Sequence, residues 1–194
     1  MFLFDGTADT VVDLRTSLQC VQGNNPRSIS FMMQTTYSGC GCIISTGTIG
    51  GAFGVMVSCN GATPNIIGVY TWSSLGGDYY PSTGKVISDG LWHTVLVTYD
   101  GTTLLIYVDG ILDSTITNWN AGGTTSTIAS TLNTVGNSGN YLGQWFDINN
   151  RFRWIGKLKN VLFYDYVITN TYALANSYQL AGDILYNSGI DCYL

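Results

Sequence analysis

Short stretches of alternating apolar and polar residues, separated by turn signals, recur along the whole chain. In "WHTVLVTY", at residues 92–99, Val95, Val97 and Tyr99 fall on one face and the intervening residues fall on the other. A period of two is the pattern of a β-strand with one buried face. The pattern predicts strands at residues 11–14, 28–35, 42–45, 52–58, 65–72, 84–87, 92–99, 103–108, 111–116, 140–143 and 156–164.

Dipeptides that favour tight turns punctuate these strands. They are Asp5-Gly6, Asn60-Gly61, Asp89-Gly90, Asp100-Gly101 and Asp109-Gly110. The last three begin at positions 89, 100 and 109, which leaves room for one short strand in each interval. The chain is therefore predicted to be all-β, with a short helix at residues 170–178 as the one helical segment.

The 194 residues are enough for one domain with a sizeable core. No break in composition and no internal repeat divides the sequence. We expect a single sandwich at residues 1–180, followed by a tail at 181–194 that packs on the domain or on a partner.

Charge is sparse, at 10% of residues, and the net charge is −5. Seven scattered basic residues make no basic patch, which argues against nucleic-acid binding. Residues 28–77 carry no charge at all, but Gly, Ser, Thr and Asn interrupt them too often for insertion in a membrane. This span is interpreted either as strands with uncharged turns or as a surface that faces other protein in an assembly.

The five cysteines are Cys20, Cys40, Cys42, Cys59 and Cys192. The "CGC" spacing, with no second pair, does not fit a zinc site. Cys40 and Cys59 flank a predicted hairpin and can face each other as a disulfide, although free buried thiols are an equal alternative. Because the number is odd, at least one cysteine stays unpaired within a monomer.

The chain has one histidine, His93, which shares a strand face with the core candidates Val95 and Val97. This placement predicts a structural residue at the entrance to the core, with a ring nitrogen bonded to backbone or water. A catalytic triad or a Cys-His pair would instead need an exposed ring beside a nucleophile.

The stretch "SDGLWHTVLVTYDGTTLLIYVDGILDST" resembles the central signature of laminin-G-like domains of the concanavalin A-like lectin/glucanase superfamily. "FDGTADTVVDL" and "WIGKLKNVLFYDYVIT" are similar to the opening and closing strands of that family. The resemblance implies a jelly-roll β-sandwich of two antiparallel sheets. It also implies structural roles for Trp92, His93, Tyr99, Asp100, Gly101, Asp109 and Gly110. Family members often have two histidines after the tryptophan, whereas Thr94 follows His93 here.

Glycoside hydrolases belong to the same superfamily, and their chemistry needs two carboxyl groups across the scissile bond. This chain contains no glutamate, and no predicted strand carries an Asp-x-Asp pair. The aspartates at positions 5, 89, 100 and 109 are assigned to turns. We therefore predict that the protein is not an enzyme.

The resemblance implies glycan or protein binding instead, often with calcium near a loop. Ligand sites combine apolar or aromatic surfaces with a few polar groups. Three segments predicted as loops have this character, and their candidate ligand contacts are Trp145, Phe146, Asp147, Asn149 and Asn150, then Trp72, Tyr79 and Tyr80, and finally Trp119. Asp147 is also the candidate calcium ligand. The alternative is that these aromatic residues cap the sandwich or fill an interface.

The resulting hypothesis is a non-catalytic module that recognises a glycan or a surface protein, with an extracellular, cell-surface or virion location. The competing hypothesis is a structural or attachment component that associates with itself or a larger assembly without binding sugar. Low charge and the odd cysteine count are compatible with both.

Overall fold

The computed structural model describes residues 1–14, 23–48, 51–57, 65–73, 76–116, 139–145 and 152–169, with the backbone alone at 72–73 and 76–83. Within these residues a single turn of 3-10 helix occurs at Ala8–Thr10. The strands are β1 (Phe2–Asp5), β2 (Val12–Asp13), β3 (Arg27–Gln34), β4 (Gly41–Thr46), β5 (Gly51–Val57), β6 (Ile66–Ser73), β7 (Gly76–Val86), β8 (Trp92–Tyr99), β9 (Leu104–Val108), β10 (Ile111–Ile116), β11 (Tyr141–Leu142) and β12 (Ile155–Tyr164).

The strands form two six-stranded antiparallel sheets. The first sheet has the order β1-β12-β3-β8-β9-β10, and the second has the order β2-β11-β4-β5-β6-β7. In the first sheet, β3 lies between β8 and the much later β12, so strands distant in sequence are neighbours. The prediction of a jelly-roll sandwich is confirmed.

The core lies between the two sheets and consists of the alternate residues that each strand turns inward. On β3 these are Ile29, Phe31 and Met33, and on β8 they include Val95 and Val97. The second sheet contributes its own inward rows from β4, β5 and β6, namely Ile43, Ile44, Phe53, Val55, Val57, Ile67 and Val69. Burial of this apolar area is the main favourable term for the fold.

The absence of charge from residues 28–77 follows from this burial. Every residue of β4 and of β5 is buried, and β3 has only two residues that are partly exposed. A charge at these positions would be desolvated without a partner. For the described part of the span, the structure favours buried strands over a surface that faces other protein.

The structure differs from the predicted strands in two places. Residues 2–5 form an edge strand, and the predicted strand at 84–87 is the end of the eleven-residue β7. Its glycines and Pro81 favour the prediction of a loop. Among the described strands, however, β7 is the edge strand of its sheet, and an edge strand tolerates the missing N–H of a proline. The assignment of Tyr79 and Tyr80 to a loop was therefore wrong, because they lie on β7. Trp72, the last residue of the predicted strand at 65–72, lies on β6 and not in a loop.

Three sequence predictions concern residues outside those described. They are the helix at 170–178, the turn at Asn60-Gly61 and the tail at 181–194.

The hairpin between β9 and β10 turns at Asp109 and Gly110, whose φ angles are 52° and 78°. Two consecutive positive φ values are the signature of the tight turn that matches the twist of a hairpin. Asparagine, aspartate and glycine tolerate this conformation better than other residues do.

Replacing this turn glycine provides a test of the backbone conformation. We expect Gly110→Ala to lower the free energy of unfolding by about 1 kcal/mol because alanine is strained at positive φ. Gly84→Ala is the matched control, since a Cβ meets nothing within 4 Å at either position and only Gly110 has a positive φ. Urea denaturation of both variants measures the difference, and equal stabilities would contradict the expectation.

Candidate functional site

His93 lies at the start of β8 and is 3% exposed. Its Nδ1 is 2.9 Å from Oδ2 of Asp109, and its Nε2 is 3.0 Å from Oδ1 of Asp89. These partners differ from the backbone or water predicted from the sequence. A ring that carries a proton on each nitrogen can donate to both carboxylates.

Each of these carboxylates is also held by backbone. The Thr94 N–H donates to Asp109 Oδ1 at 3.0 Å, and the Leu91 N–H donates to Asp89 Oδ1 at 2.8 Å. Lys85 Nζ lies 3.5 Å from Asp109 Oδ2. The histidine therefore joins the turn before β8 to the β9–β10 hairpin, and its contacts are those of a structural clamp.

These hydrogen bonds lower the pKa of both aspartates. For Asp89, the bond from the Leu91 N–H is the largest cause, followed by the bond from His93. For Asp109, burial acts to raise the pKa, but hydrogen bonds from His93 and Thr94 outweigh it and the pKa is lowered. Both groups are thereby stabilised as carboxylates, which are hydrogen-bond acceptors and not proton donors.

The remaining residues of the central signature make a second structural cluster at the other end of β8. The Tyr99 hydroxyl donates to the Gly101 carbonyl at 2.7 Å and also bonds the Asn24 side chain. Asp100 Oδ1 accepts hydrogen bonds from the N–H groups of Thr102 and Thr103, and these contacts lower its pKa.

A buried cation near this cluster was missed by sequence reasoning. The Arg27 guanidinium is 1% exposed and lies 5.7 Å from the centre of the Tyr99 ring. It donates to the carbonyls of Asn25 and Gly23. Burial lowers its pKa to about 10, which still leaves it charged at neutral pH. An arginine before a strand carries no sequence signal that distinguishes this role from an exposed position.

The outward face of the second sheet carries a cluster of aromatic residues. Trp145 packs there with Cys42, Ala52 and Met56, and its ring meets that of Tyr70 edge to face at 5.1 Å. Gly54 lies beneath the tryptophan, since a Cβ at that position would be 2.3 Å from the Trp145 ring. We call the set Gly54, Tyr70, Gln144, Trp145 and Arg153 the Trp145 face.

Two polar side chains are linked to this cluster, since Gln144 precedes Trp145 in the chain and Arg153 is a β-bridge partner of Cys42, which packs with Trp145. The backbone of Arg153 forms an isolated β-bridge with Cys42 on β4. The Arg153 side chain donates a hydrogen bond from Nε to Gln144 Oε1 at 3.3 Å. Arg153 and Tyr70 are half-buried, so each retains exposed surface. An aromatic side chain, an amide and a guanidinium thus lie on one sheet face, and together they can pack against and hydrogen-bond a polar ligand.

The residues that the sequence predicted as ligand contacts divide into three groups. Trp145 itself is 3% exposed, so its ring packs against the sheet and leaves little surface for a ligand. In the strand register, Tyr79 pairs with Tyr70, and Trp72 pairs with Ala52. Tyr80 pairs instead with the core residue Val69. Phe146, Asp147, Asn149, Asn150 and Trp119 lie outside the described residues. Tyr70 and Arg153 were missed as candidates because nothing local links them to Trp145.

The cysteines differ in state. Cys40 is disulfide-bonded, whereas Cys42 is a free and fully buried thiol whose pKa is raised by burial. A buried thiol in apolar surroundings is unreactive. Cys20, Cys59 and Cys192 lie outside the described residues, so the pairing of Cys40 with Cys59 stays a prediction.

Two searches of the described residues concern metals and membranes. No group of three or more His, Cys, Asp or Glu side chains that could hold a metal ion occurs among them. No helix in the same part of the chain is long and apolar enough to cross a membrane.

The fold and its central signature define a β-sandwich domain of the laminin G type. A family model described as "Concanavalin A-like lectin/glucanases superfamily" matches residues 5–172. The chain belongs to this superfamily. A comparison with curated proteins finds no match.

Solved structures share the fold at low sequence identity. Domain 4 of AbnA, a GH43 extracellular arabinanase from Geobacillus stearothermophilus in complex with arabinotriose, is 16% identical with a TM-score of 0.62, over 90% of this chain and 74% of that one. The CBM40 of Ruminococcus gnavus IT-sialidase bound to α2,6 sialyllactose is 13% identical with a TM-score of 0.61, over 90% of this chain and 93% of that one. Domains LG4-5 of the mouse laminin α1 chain are 15% identical with a TM-score of 0.59, over 85% of this chain and 42% of that one.

The lowered carboxylate pKa values determine how stability depends on pH. A carboxylate whose pKa is lower in the folded state stabilises the protein above its unfolded pKa, near 4, and that contribution is lost as pH falls through the folded pKa. We expect Asp109→Asn to lower the free energy of unfolding at pH 7 by about 1 to 3 kcal/mol. The variant should also lose less stability on acidification below about pH 4. Chemical denaturation across this pH range measures both effects.

Asp165→Asn is the control for this experiment, because Asp165 is exposed and accepts no hydrogen bond from a described residue. An equal change of the pH profile in both variants would rule out the His93 clamp as its cause.

The contact between Gly54 and Trp145 gives a second prediction for this region. We expect Gly54→Ala to displace the indole ring and to lower the free energy of unfolding by about 1 to 3 kcal/mol. Near-ultraviolet circular dichroism should change with it, since the Trp145–Tyr70 packing is altered. Gly84→Ala is again the control, and an unchanged aromatic spectrum in Gly54→Ala would contradict the packing.

Proposed function

We propose that this chain is a non-catalytic glycan-binding module and that the Trp145 face is its binding surface. The observation that carries the proposal is the Tyr70–Trp145 pair on an outward sheet face, with Gln144 preceding Trp145 in the chain and Arg153 hydrogen-bonded to Gln144. Ligand sites typically combine an apolar or aromatic surface with a few such polar groups.

In this proposal Tyr70 is the sugar contact and Trp145 is a positioning residue. Tyr70 keeps part of its ring exposed, whereas Trp145 is 3% exposed and supports Tyr70 edge to face. Arg153, which is half-buried, would supply hydrogen bonds to hydroxyl groups, and the buried Gln144 would orient its guanidinium. The register partners of Tyr70 and Ala52, which are Tyr79 and Trp72, would extend the surface across β6 and β7.

The residues that follow Trp145 in the sequence, Phe146, Asp147, Asn149 and Asn150, would form one border of the site. Asp147 is the proposed ligand for a calcium ion there, because calcium prefers carboxylate and carbonyl oxygens. Trp119 stays a separate candidate contact.

Several features support a binding role without catalysis. The chain contains no glutamate. Asp5, Asp89 and Asp100 accept hydrogen bonds from the backbone of their own turns, and Asp109 accepts one from the Thr94 N–H. Similar folds include carbohydrate-binding modules, some of which are parts of glycosidases. The Cys40 disulfide supports an oxidising location such as the cell exterior or a particle surface.

A glycan array tests the proposal directly, with calcium present and then with a chelator. We expect a selected set of glycans to bind, and we expect Tyr70→Ala to weaken binding about tenfold or more while the protein stays folded. Loss of binding with chelator would support the calcium site at Asp147.

Tyr107→Ala is the matched control, because Tyr107 is also a half-buried strand tyrosine but pairs with Leu96 in the first sheet. If no glycan binds under either condition, the lectin hypothesis fails. Equal losses in the two variants would place the site away from the Trp145 face.

A further inference from the structure

The outward face of the first sheet carries two lysines near one edge. Lys157 and Lys159 lie two residues apart on β12, and the alternation of the strand directs both away from the core residue Leu158. A rise of about 3.3 Å per residue puts them about 6.6 Å apart along the strand. Ile155 precedes them in the same outward row and is 41% exposed.

Neither lysine is neutralised within the described structure. No carboxylate among the described residues is within ion-pairing distance of either ammonium group. By contrast, Lys85 pairs with Asp109, and the Arg27 cation is buried. In a chain of net charge −5, this is a local concentration of positive charge with no ion-pair partner among the described residues.

Lys159 is held in place by an aromatic side chain of the central signature. Its Nζ lies 4.4 Å from the centre of the Trp92 ring on β8, two strands away across β3. Such a contact orients a cation without neutralising it. It also covers a face of the Trp92 ring, which is then less available to stack on a sugar.

The surroundings of the lysines are aliphatic. Leu3 on β1 pairs with Lys157 and is 61% exposed, and Met1 is 81% exposed. Exposed aliphatic side chains beside unpaired cations suit a polypeptide with both acidic and apolar residues, because a polypeptide can bury the aliphatic groups. A sulfated polysaccharide would use the charges but not Leu3 and Ile155.

We propose that Leu3, Ile155, Lys157 and Lys159 form a docking surface for an extended acidic segment of a partner protein. In an extended chain, residues at i, i+2 and i+4 share one face. A segment with an apolar residue followed by two acidic residues at that spacing would match Ile155, Lys157 and Lys159 in turn. This surface and the Trp145 face belong to different sheets, so the two sites are independent.

The test uses a labelled peptide that contains the sequence Leu-Ser-Asp-Ser-Asp, and the same peptide with Asn in place of Asp. Fluorescence anisotropy should show binding of the acidic peptide to the full chain, and weaker binding as salt is raised. We expect the double variant K157Q/K159Q to bind about tenfold more weakly. Its thermal unfolding should stay cooperative, with only a small loss of stability from the missing Lys159–Trp92 contact, so that weaker binding does not reflect unfolding.

K85Q removes one lysine charge elsewhere on the surface, so it is the control for the single variant K157Q, and it should bind the acidic peptide as the parent does. Tyr70→Ala should also retain peptide binding, which separates failure of this surface from failure of the glycan site. Equal binding of the Asp and Asn peptides, or of the parent and K157Q/K159Q, would overturn the proposal. Binding of heparin at these lysines without binding of the peptide would overturn it as well, in favour of a polyanionic glycan.

Discussion

The alternation of side chains along the strands is the constraint on which this structure depends. Each sheet can bury only one of its faces against the other, so an inward residue leaves both its neighbours pointing outward. On β3, inward Phe31 is flanked by outward Ser30 and Met32. Once the register is set, the sheet face on which each strand residue lies is set as well.

The turn aspartates combine two tasks, and this limits what else they can do. Asp109 adopts a positive φ at the β9–β10 hairpin while its carboxylate binds His93 and the Thr94 N–H. Asp89 similarly bonds its own turn and the same histidine. The carboxylates of Asp89 and Asp109 therefore hold the ends of strands, and His93 has a structural role with them.

The two outward faces differ because their small residues are placed differently. On the second sheet, Gly54 has no side chain, and the Trp145 ring can therefore lie against the backbone and support Tyr70. On the first sheet, lysines and aliphatic residues stand out from β1 and β12, and Trp92 serves as a platform for Lys159. One fold thus presents an aromatic surface on one side and a cationic surface on the other, and both remain proposals for binding.

The sequence alone was sufficient to predict most of the strands and turns, the all-β sandwich and the placement of His93 on the core face, but not β1 or the first part of β7. These features depend on period-two patterns and on turn dipeptides, which are local in the chain. It also located Trp145 and Trp92 without defining their surroundings. Only the tertiary structure decided that Trp145 is buried over Gly54, that Tyr70 and Arg153 join it, and that Lys159 reaches Trp92. Those contacts join strands far apart in sequence, and they depend on the strand order and register of the two sheets, which no local pattern specifies.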